Sequence, residues 1–243
     1  MTSTLKATLF LLIIFLTAGV AQAQNASLVH FFPQIVDGVG SDGAVYTSRF
    51  LIAGYGESPA TCQVSLFGIG AERLSAGSRI VVERSSVETI TTRGQGVIGT
   101  GYARLDCSQP VVASLTYSIL SATGTTLGIA NVPSAPVASV ALIPMVLNGR
   151  YRYGIAIAND NDAVQLVPFL FDSGPMSLVR TIQVQPRSHY VVFADEIFNL
   201  PIDGLGTLRV AAVDGIGSNQ FYITALLFDR SGGFTNVVPA VIR

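Results

Sequence analysis

The chain has 243 residues with a formal net charge of −1, and only 12 % of its residues are charged. It contains no basic cluster of the kind that binds a phosphate backbone, which argues against nucleic acid as a partner. Glycine, serine, threonine and valine are frequent while lysine and glutamate are scarce, a composition typical of exported β-rich proteins rather than of helical or disordered ones.

The first residues predict a signal peptide over 1–23. Lys6 precedes an apolar run at 7–16, and the Ala-Gln-Ala sequence at 21–23 has the small-x-small form of a signal-peptidase site. The run is too short to cross a bilayer of about 30 Å as a helix, and no later stretch reaches about 18 uncharged apolar residues. We therefore expect a mature chain that starts at Gln24, is secreted or periplasmic, and has no membrane span.

Short runs of β-branched and aromatic residues, separated by turn residues, recur along the mature chain and predict strands. In the first half the predicted strands are 28–35, 45–54, 61–67, 78–84, 97–106, 111–119 and 125–132. In the second half they are 138–146, 151–159, 163–171, 178–185, 188–193, 206–213, 220–228 and 234–238. A single helical turn is predicted over 193–201, where Asp195 and Glu196 precede an apolar pair and a proline ends the run.

The two halves of the mature chain are similar in sequence. Four pairs of segments match: 64–70 with 168–174, 77–83 with 187–193, 98–106 with 205–214, and 111–133 with 221–239. Such self-similarity indicates an internal duplication, with 132–139 as a short linker. Short strands with glycine, serine and asparagine turns fit a sandwich better than a barrel or a parallel sheet. We therefore predict an all-β fold of two tandem antiparallel Ig-like β-sandwich modules, 24–133 and 134–243.

Cys62 and Cys107 are the two cysteines of the chain. In an oxidising compartment they are expected to form a disulfide, with two buried unpaired thiols as the alternative. The two cysteines and the histidines His30 and His189 lie too far apart in the sequence to show the ligand spacing of a closed zinc site.

Gly94, Gly96 and Gly99 have the spacing G-x-G-x-x-G, which holds a dinucleotide pyrophosphate when it follows a strand and opens a helix. Here the glycines follow a predicted loop at 85–93 and open a predicted strand. We therefore interpret them as turn glycines and predict no cofactor.

Catalytic chemistry has few candidate residues. His30 and His189 are the only imidazoles, and neither lies near a G-x-S-x-G elbow. His189 aligns with Arg79 of the first half, which favours a structural role. Adjacent Asp195 and Glu196 are explained by the helix dipole, which favours acids in a first turn. We predict no enzymatic activity; a hydrolase would require His189 to meet a serine or a carboxylate in a cleft.

Two acidic loops are candidate calcium sites. Asp160 and Asp162 lie in one predicted loop, and Asp37 and Asp42 lie in another. Carboxylates in such loops are calcium ligands in extracellular modules, although asparagine, aspartate and glycine are also the residues that turns require.

Carbohydrate binding would use exposed aromatic rings that stack on sugar faces. The chain has no tryptophan, so Tyr46, Tyr55, Tyr151 and Tyr153 are the candidates. Strand tyrosines also pack at the ends of sandwiches with the hydroxyl in water, and we favour that interpretation.

Several segments resemble a known group of proteins. "HFFPQIVDG" at 30–38 contains Phe-Pro-Gln-x-x-Asp-Gly, and "RSHYVVFADEIFNLP" at 187–201 is similar to Gly-His-x-x-x-Phe-x-x-x-x-Phe-Pro. The chain resembles tandem β-sandwich modules found in uncharacterised exported proteins of soil bacteria. It departs from that pattern where the second module begins, since "LIPMVLNG" lacks the glutamine and the aspartate. The resemblance implies a fold and an exported location, and it supplies no activity or catalytic residues.

These features predict an exported, non-enzymatic β-sandwich protein that acts as a structural or adhesion module at the cell surface or in the periplasm. Its partner is expected to be a protein or a polysaccharide. The alternative is a carbohydrate-binding module assisted by calcium, and a hydrolase is the second alternative.

Overall fold

The computed structural model describes residues 26–174, 176–198, 203–213, 220–229 and 233–242. These residues form an almost entirely β structure whose strand pairs are antiparallel, as predicted. The predicted signal peptide lies outside the described residues. Within the described part, no helix is long and apolar enough to cross a membrane.

Seven strands come from the first half of the chain. They are β1 (Ser27–Val39), β2 (Val45–Gly54), β3 (Ala60–Phe67), β4 (Arg79–Val82), β5 (Val87–Thr91), β6 (Gly99–Leu120) and β7 (Thr126–Pro133). Two predicted strands, 97–106 and 111–119, are joined in β6. Pro110 does not interrupt β6 because the pairing with β1 shifts register between Ser27 and Val29, and prolines are tolerated at such irregularities.

Strand β6 connects two four-stranded layers. Its first part pairs with β1 and β3, and its second part pairs with β2 and β7. The resulting strand orders are β4-β3-β6-β1 and β5-β2-β6-β7. Alternate side chains from both layers meet in one apolar core, to which Phe32, Phe50, Leu105 and Leu115 contribute fully or almost fully buried side chains.

The predicted disulfide between Cys62 and Cys107 is confirmed. The two residues lie directly opposite each other on β3 and β6, with their Cα atoms 4.1 Å apart. Cys62 is fully buried in the first core. The disulfide therefore joins the two central strands of the β4-β3-β6-β1 layer.

Ten strands and one helix come from the second half. They are β8 (Val137–Ala138), β9 (Val140–Asn148), β10 (Tyr151–Asn159), β11 (Gln165–Ser173), β12 (Met176–Val184), β13 (Ser188–Phe193), α1 (Ala194–Phe198), β14 (Asp203–Ala211), β15 (Phe221–Asp229), β16 (Phe234–Val237) and β17 (Ala240–Ile242). The predicted helical turn is confirmed as α1, with both acids in its first turn. Strand β17 is additional to the predicted strands.

The second half pairs its strands in the order of the first. Its two sheets run β12-β11-β14-β9-β17 and β13-β10-β15-β16, with β8 beside β15. A second apolar core lies between them and includes Ile155, Phe169, Phe171 and Phe221. Ser85 and Arg187 are the described non-glycine residues with positive φ, and each lies in the turn before the corresponding strand, β5 or β13.

The predicted alignment of His189 with Arg79 is wrong. Arg79 lies on β4, whose partner is β3, whereas His189 lies on β13, whose partner is β10. In pairing order β13 corresponds to β5. The sequence similarity arose because short edge strands share a composition that does not distinguish one edge from another.

Residues 85–93 are not entirely a loop, since they contain the unpredicted strand β5. Only Ile90 of this strand is buried, so its apolar pattern is weak. The three glycines therefore do follow a strand, but they open strand β6 and not a helix. Gly94 and Gly96 have φ of 66° and 73°, as expected for turn glycines.

Asp37 and Arg73 hold the glycine turn in place. Asp37 is fully buried, and its carboxylate accepts hydrogen bonds from the Gly94 backbone at 2.6 Å and from Arg73 at 3.1 Å. The same guanidinium donates to the carbonyls of Gln95 and Val97. One buried ion pair thus fixes the connection between β5 and β6.

We predict that replacing both cysteines, Cys62→Ala with Cys107→Ala, lowers the free energy of unfolding by about 4 kcal/mol, because the bond closes a loop across a sequence separation of 45 residues. Urea unfolding of the variant and of the oxidised protein measures the difference. The reduced wild-type protein should behave like the variant, and an unchanged midpoint would contradict the prediction.

We predict that Asp37→Ala lowers the free energy of unfolding by about 3 kcal/mol, because it leaves the Gly94 N–H and the Arg73 guanidinium without their acceptor. Asp42→Ala is the matched control: it removes an exposed carboxylate that accepts only from the Ala44 backbone, and it should cost less than about 1 kcal/mol. If urea unfolding showed the same loss of free energy for both variants, the ion pair between Asp37 and Arg73 would not stabilise the protein more than an exposed contact does.

Candidate functional site at the junction of the two halves

The strand pair β10 and β15 is buried on both of its faces. On one face Ile155 and Ile157 enter the second core. On the other face Ala156 and Ala158 are 3 % and 0 % exposed, although they belong to neither core. Because side chains alternate between the two faces of a strand, this second face must be covered by another part of the molecule.

The first half of the chain provides that cover. The Phe31 ring on β1 stacks on the Tyr222 ring on β15 with centroids 3.6 Å apart. Leu226 and Phe234 of the second half are part of the first core, and burial of each contributes about 1.5–3 kcal/mol. The two halves therefore share apolar packing.

Glycines shape this surface where aromatic rings cross it. A Cβ at Gly154 on β10 would lie 2.8 Å from the Phe228 ring, so a larger residue there would displace that ring. A Cβ at Gly68, in the first half, would lie 3.7 Å from Cε1 of His189. His189 therefore lies against the first half, at the edge of the contact.

Asp160 is the centre of a polar network at the border of this contact. Its Oδ1 accepts hydrogen bonds from the Tyr102 hydroxyl at 2.9 Å and from Arg187 at 3.0 Å. Its Oδ2 accepts from Arg104 at 3.2 Å. Tyr102 and Arg104 belong to β6 in the first half, so one carboxylate joins both halves. Arg104 also lies over the Phe31 ring, 5.6 Å from its centroid.

Two further ion pairs extend the network, so that acidic and basic side chains alternate along it. Arg104 binds Asp106 at 2.7 Å, and Arg187 binds Asp162 at 3.0 Å. Burial and the Asp160 carboxylate raise the pKa of Tyr102, which therefore stays protonated and can donate. Hydrogen bonding to Arg187 lowers the pKa of Asp162, so this group stays ionised.

The calcium candidates are all engaged by protein groups. Asp160 and Asp162 face Arg187, Asp37 faces Arg73, and Asp42 accepts from the Ala44 backbone. Among the described residues, no group of three or more histidine, cysteine, aspartate or glutamate residues could hold a metal ion. A calcium ion at Asp160 would have to compete with two guanidinium groups, and calcium binding stays a prediction.

His30 is buried at the base of a cleft of about 1210 Å³ beside the junction. Its Nε2 lies 2.9 Å from the Val111 carbonyl, so this nitrogen carries the proton and donates. Its Nδ1 accepts from the Ser134 hydroxyl at 2.9 Å. Burial lowers the pKa of His30, and burial also lowers that of His189.

The other catalytic candidates are held in structural contacts. Arg152 lies 3.8 Å from the centroid of the Phe193 ring and binds Asp195 at 3.0 Å and Glu196 at 2.7 Å. Within the described residues, the His189 imidazole has no hydrogen bond to a serine or a carboxylate.

The four candidate tyrosines do not form one surface. Tyr153 is buried and its hydroxyl oxygen accepts a hydrogen bond from the Val146 backbone N–H at 2.7 Å, and Tyr46 and Tyr151 are half-buried. Tyr55 is 73 % exposed in the loop between β2 and β3. The rings therefore do not provide the exposed aromatic cluster expected of a carbohydrate-binding face.

No protein-family model matches the chain, and no curated protein matches it in sequence.

The junction itself was not predicted from sequence. Arg104 and Asp160 are 56 residues apart, and neither lies in a recognisable motif. The sequence feature that could have indicated the junction is strand β10, whose unbroken apolar run from Gly154 to Ala158 is typical of a strand covered on both faces.

We predict that Asp160→Ala lowers the free energy of unfolding by about 2 kcal/mol, because three donors from the two halves lose their shared acceptor. Asp106→Asn is the control, since Asp106 contacts the same Arg104 but lies within the first half; it should cost less than about 0.5 kcal/mol. Urea unfolding compares the two. If the control cost as much as Asp160→Ala, the network would not join the halves.

We predict that the protein loses stability as the pH falls below 6.5, the ordinary pKa of histidine. His30 has a lower pKa when folded than when unfolded, so the unfolded chain takes up the proton first, and the stability present above pH 6.5 is lost towards the folded pKa. The slope should approach about 1.4 kcal/mol per pH unit for each buried histidine.

Thermal unfolding of the wild-type protein and of His30→Gln, measured between pH 8 and pH 5, tests this predicted loss of stability at low pH. The stability of the His30→Gln variant should change less with pH than that of the wild-type protein. A wild-type profile that stays level to pH 5 would contradict the assignment of His30 as a buried neutral imidazole.

Proposed function

We propose that the chain is an exported, non-enzymatic protein of two tandem Ig-like β-sandwich modules that acts as a rigid structural or adhesion module. Its location is the cell surface or the periplasm, reached by the signal peptide of residues 1–23. The observation that carries the proposal is the junction: apolar packing around Phe31, Tyr222 and Leu226 and the Asp160 network join the halves into one body.

The duplication is supported by pairing order. Strands β4-β3-β6-β1 correspond to β12-β11-β14-β9, and β5-β2-β6-β7 correspond to β13-β10-β15-β16. The positive φ of Ser85 and Arg187 in corresponding turns also supports it. Two copies of one ancestral module would explain these features together.

The absence of enzymatic activity is proposed because the scarce reactive groups serve structure. His30 is hydrogen-bonded on both nitrogens, and Arg152 engages the two acids of α1. A buried imidazole in such contacts is not positioned to take a proton from a nucleophile.

Carbohydrate binding is the second candidate, and the cleft beside the junction favours it. Asn131, Asn236, Ser134 and Tyr222 line this cleft. Amide and hydroxyl groups around an aromatic ring form a surface that can recognise a sugar.

A glycan and polysaccharide array tests the two candidates, using residues 24–243 with calcium and again with chelator, together with a panel of chromogenic hydrolase substrates. The structural module predicts no saturable binding and no turnover. Saturable binding that is lost in Asn131→Ala with Asn236→Ala, but kept in Tyr55→Ala, would replace it with the carbohydrate-binding module. Turnover that is lost in His189→Ala would replace it with a hydrolase.

A further inference from the structure

The contact between the halves is heterologous, because each half contributes a different surface. The second half contributes its docking face, which we define as the outer side of β10, β13, β15 and β16 around Ala158 and Tyr222. The first half contributes its receiving face, the outer side of β1, β3 and the first part of β6 around Phe31 and Arg104. Because both halves pair their strands in the same order, the first half also has a surface that corresponds to the docking face, and the second half also has one that corresponds to the receiving face.

The docking face of the first half lies on β2, β5, β7 and the second part of β6. Its register follows that of the second half, because Ala53 pairs with Val87 and Val112 as Ala158 pairs with His189 and Tyr222. The edge strands of this face are exposed. Val87 is 60 % exposed, and Ile129 on β7 is 58 % exposed, whereas Phe234 at the corresponding position of β16 is 9 % exposed.

The receiving face of the second half lies on β9, β11 and β14. Arg209 lies in its centre, opposite Leu142 and Leu170, as Arg104 lies opposite Phe31 and Ser65. Large apolar side chains are exposed on the same side of this sheet: Val146 at 45 % and Leu205 at 73 %, which lie opposite each other, and Val179 at 54 % on the neighbouring strand β12. Exposed apolar side chains clustered on one sheet face are typical of an interaction surface.

The two faces offer one pair of opposite charges, Arg209 and Glu57. Within the chain, Arg104 of the receiving face binds Asp160, which lies in the loop after β10. The corresponding loop after β2 contains Glu57, which is exposed. Among the described residues, neither Arg209 nor Glu57 has an ion-pair partner. The register places Tyr55 at the position of Asp160, and Glu57 lies two residues further along the same loop, from where it would meet Arg209 of a second copy of the chain.

We propose that the protein associates head to tail, with the docking face of one copy on the receiving face of the next and Arg209 bound to Glu57. The proposal rests on the duplicated modules of the proposed function. A heterologous contact of this kind repeats from copy to copy and produces an open chain or a ring. Arg49 stands where the second half has Gly154, so the contact between copies is more polar than the internal one and reversible.

Sedimentation velocity of residues 24–243 from about 1 µM to about 1 mM, the range of weak association, tests the proposal. The wild-type sedimentation coefficient should rise with concentration. Arg209→Glu and Glu57→Arg should each weaken association by at least about tenfold, because like charges then face each other. An equimolar mixture of the two variants should associate like wild type, since every contact in the mixture again joins opposite charges.

The controls are charge reversals on neighbouring positions that face away from the two surfaces, Arg180→Glu on β12 and Glu88→Arg on β5. Both should associate like wild type. A wild-type protein that stays monomeric, or a mixture that does not recover association, would overturn the proposal. Either result would leave the proposed function standing, because that function fails on the array or in the substrate panel and not by sedimentation.

Discussion

The constraint on which the structure depends is that strands β10 and β15 have two faces that avoid water. Ile155 and Ile157 occupy one face and Ala156 and Ala158 the other, so a single apolar core can cover only half of this surface. The first half of the chain provides the second cover.

The polar groups at the junction are arranged around this apolar contact. Asp160 leaves the end of β10 at the border of the packed surface, where Tyr102 and Arg104 from the other half can reach its carboxylate. A carboxylate that is only 11 % exposed needs such partners, because an unpaired buried charge is costly. Asp160, one of the acids that resemble a calcium loop in the sequence, thus links the two halves.

Most strands were predictable because each has a local signal. The run from Gly154 to Ala158 predicts a covered strand, and the two cysteines predict their bond once export is inferred. Strand β5 was not predictable, because Ile90 is its one buried residue and its other side chains are polar or exposed. The partner of Asp160 was not predictable either, since the register of two distant strands, and not any local pattern, places Arg104 beside it.

Differential scanning calorimetry of the protein determines whether the two halves form one folded unit. If each half needs the other to cover its apolar surface, the chain unfolds in a single transition whose calorimetric enthalpy equals its van't Hoff enthalpy. Two separate transitions, or a calorimetric enthalpy about twice the van't Hoff value, would show that the halves fold independently and would contradict the account.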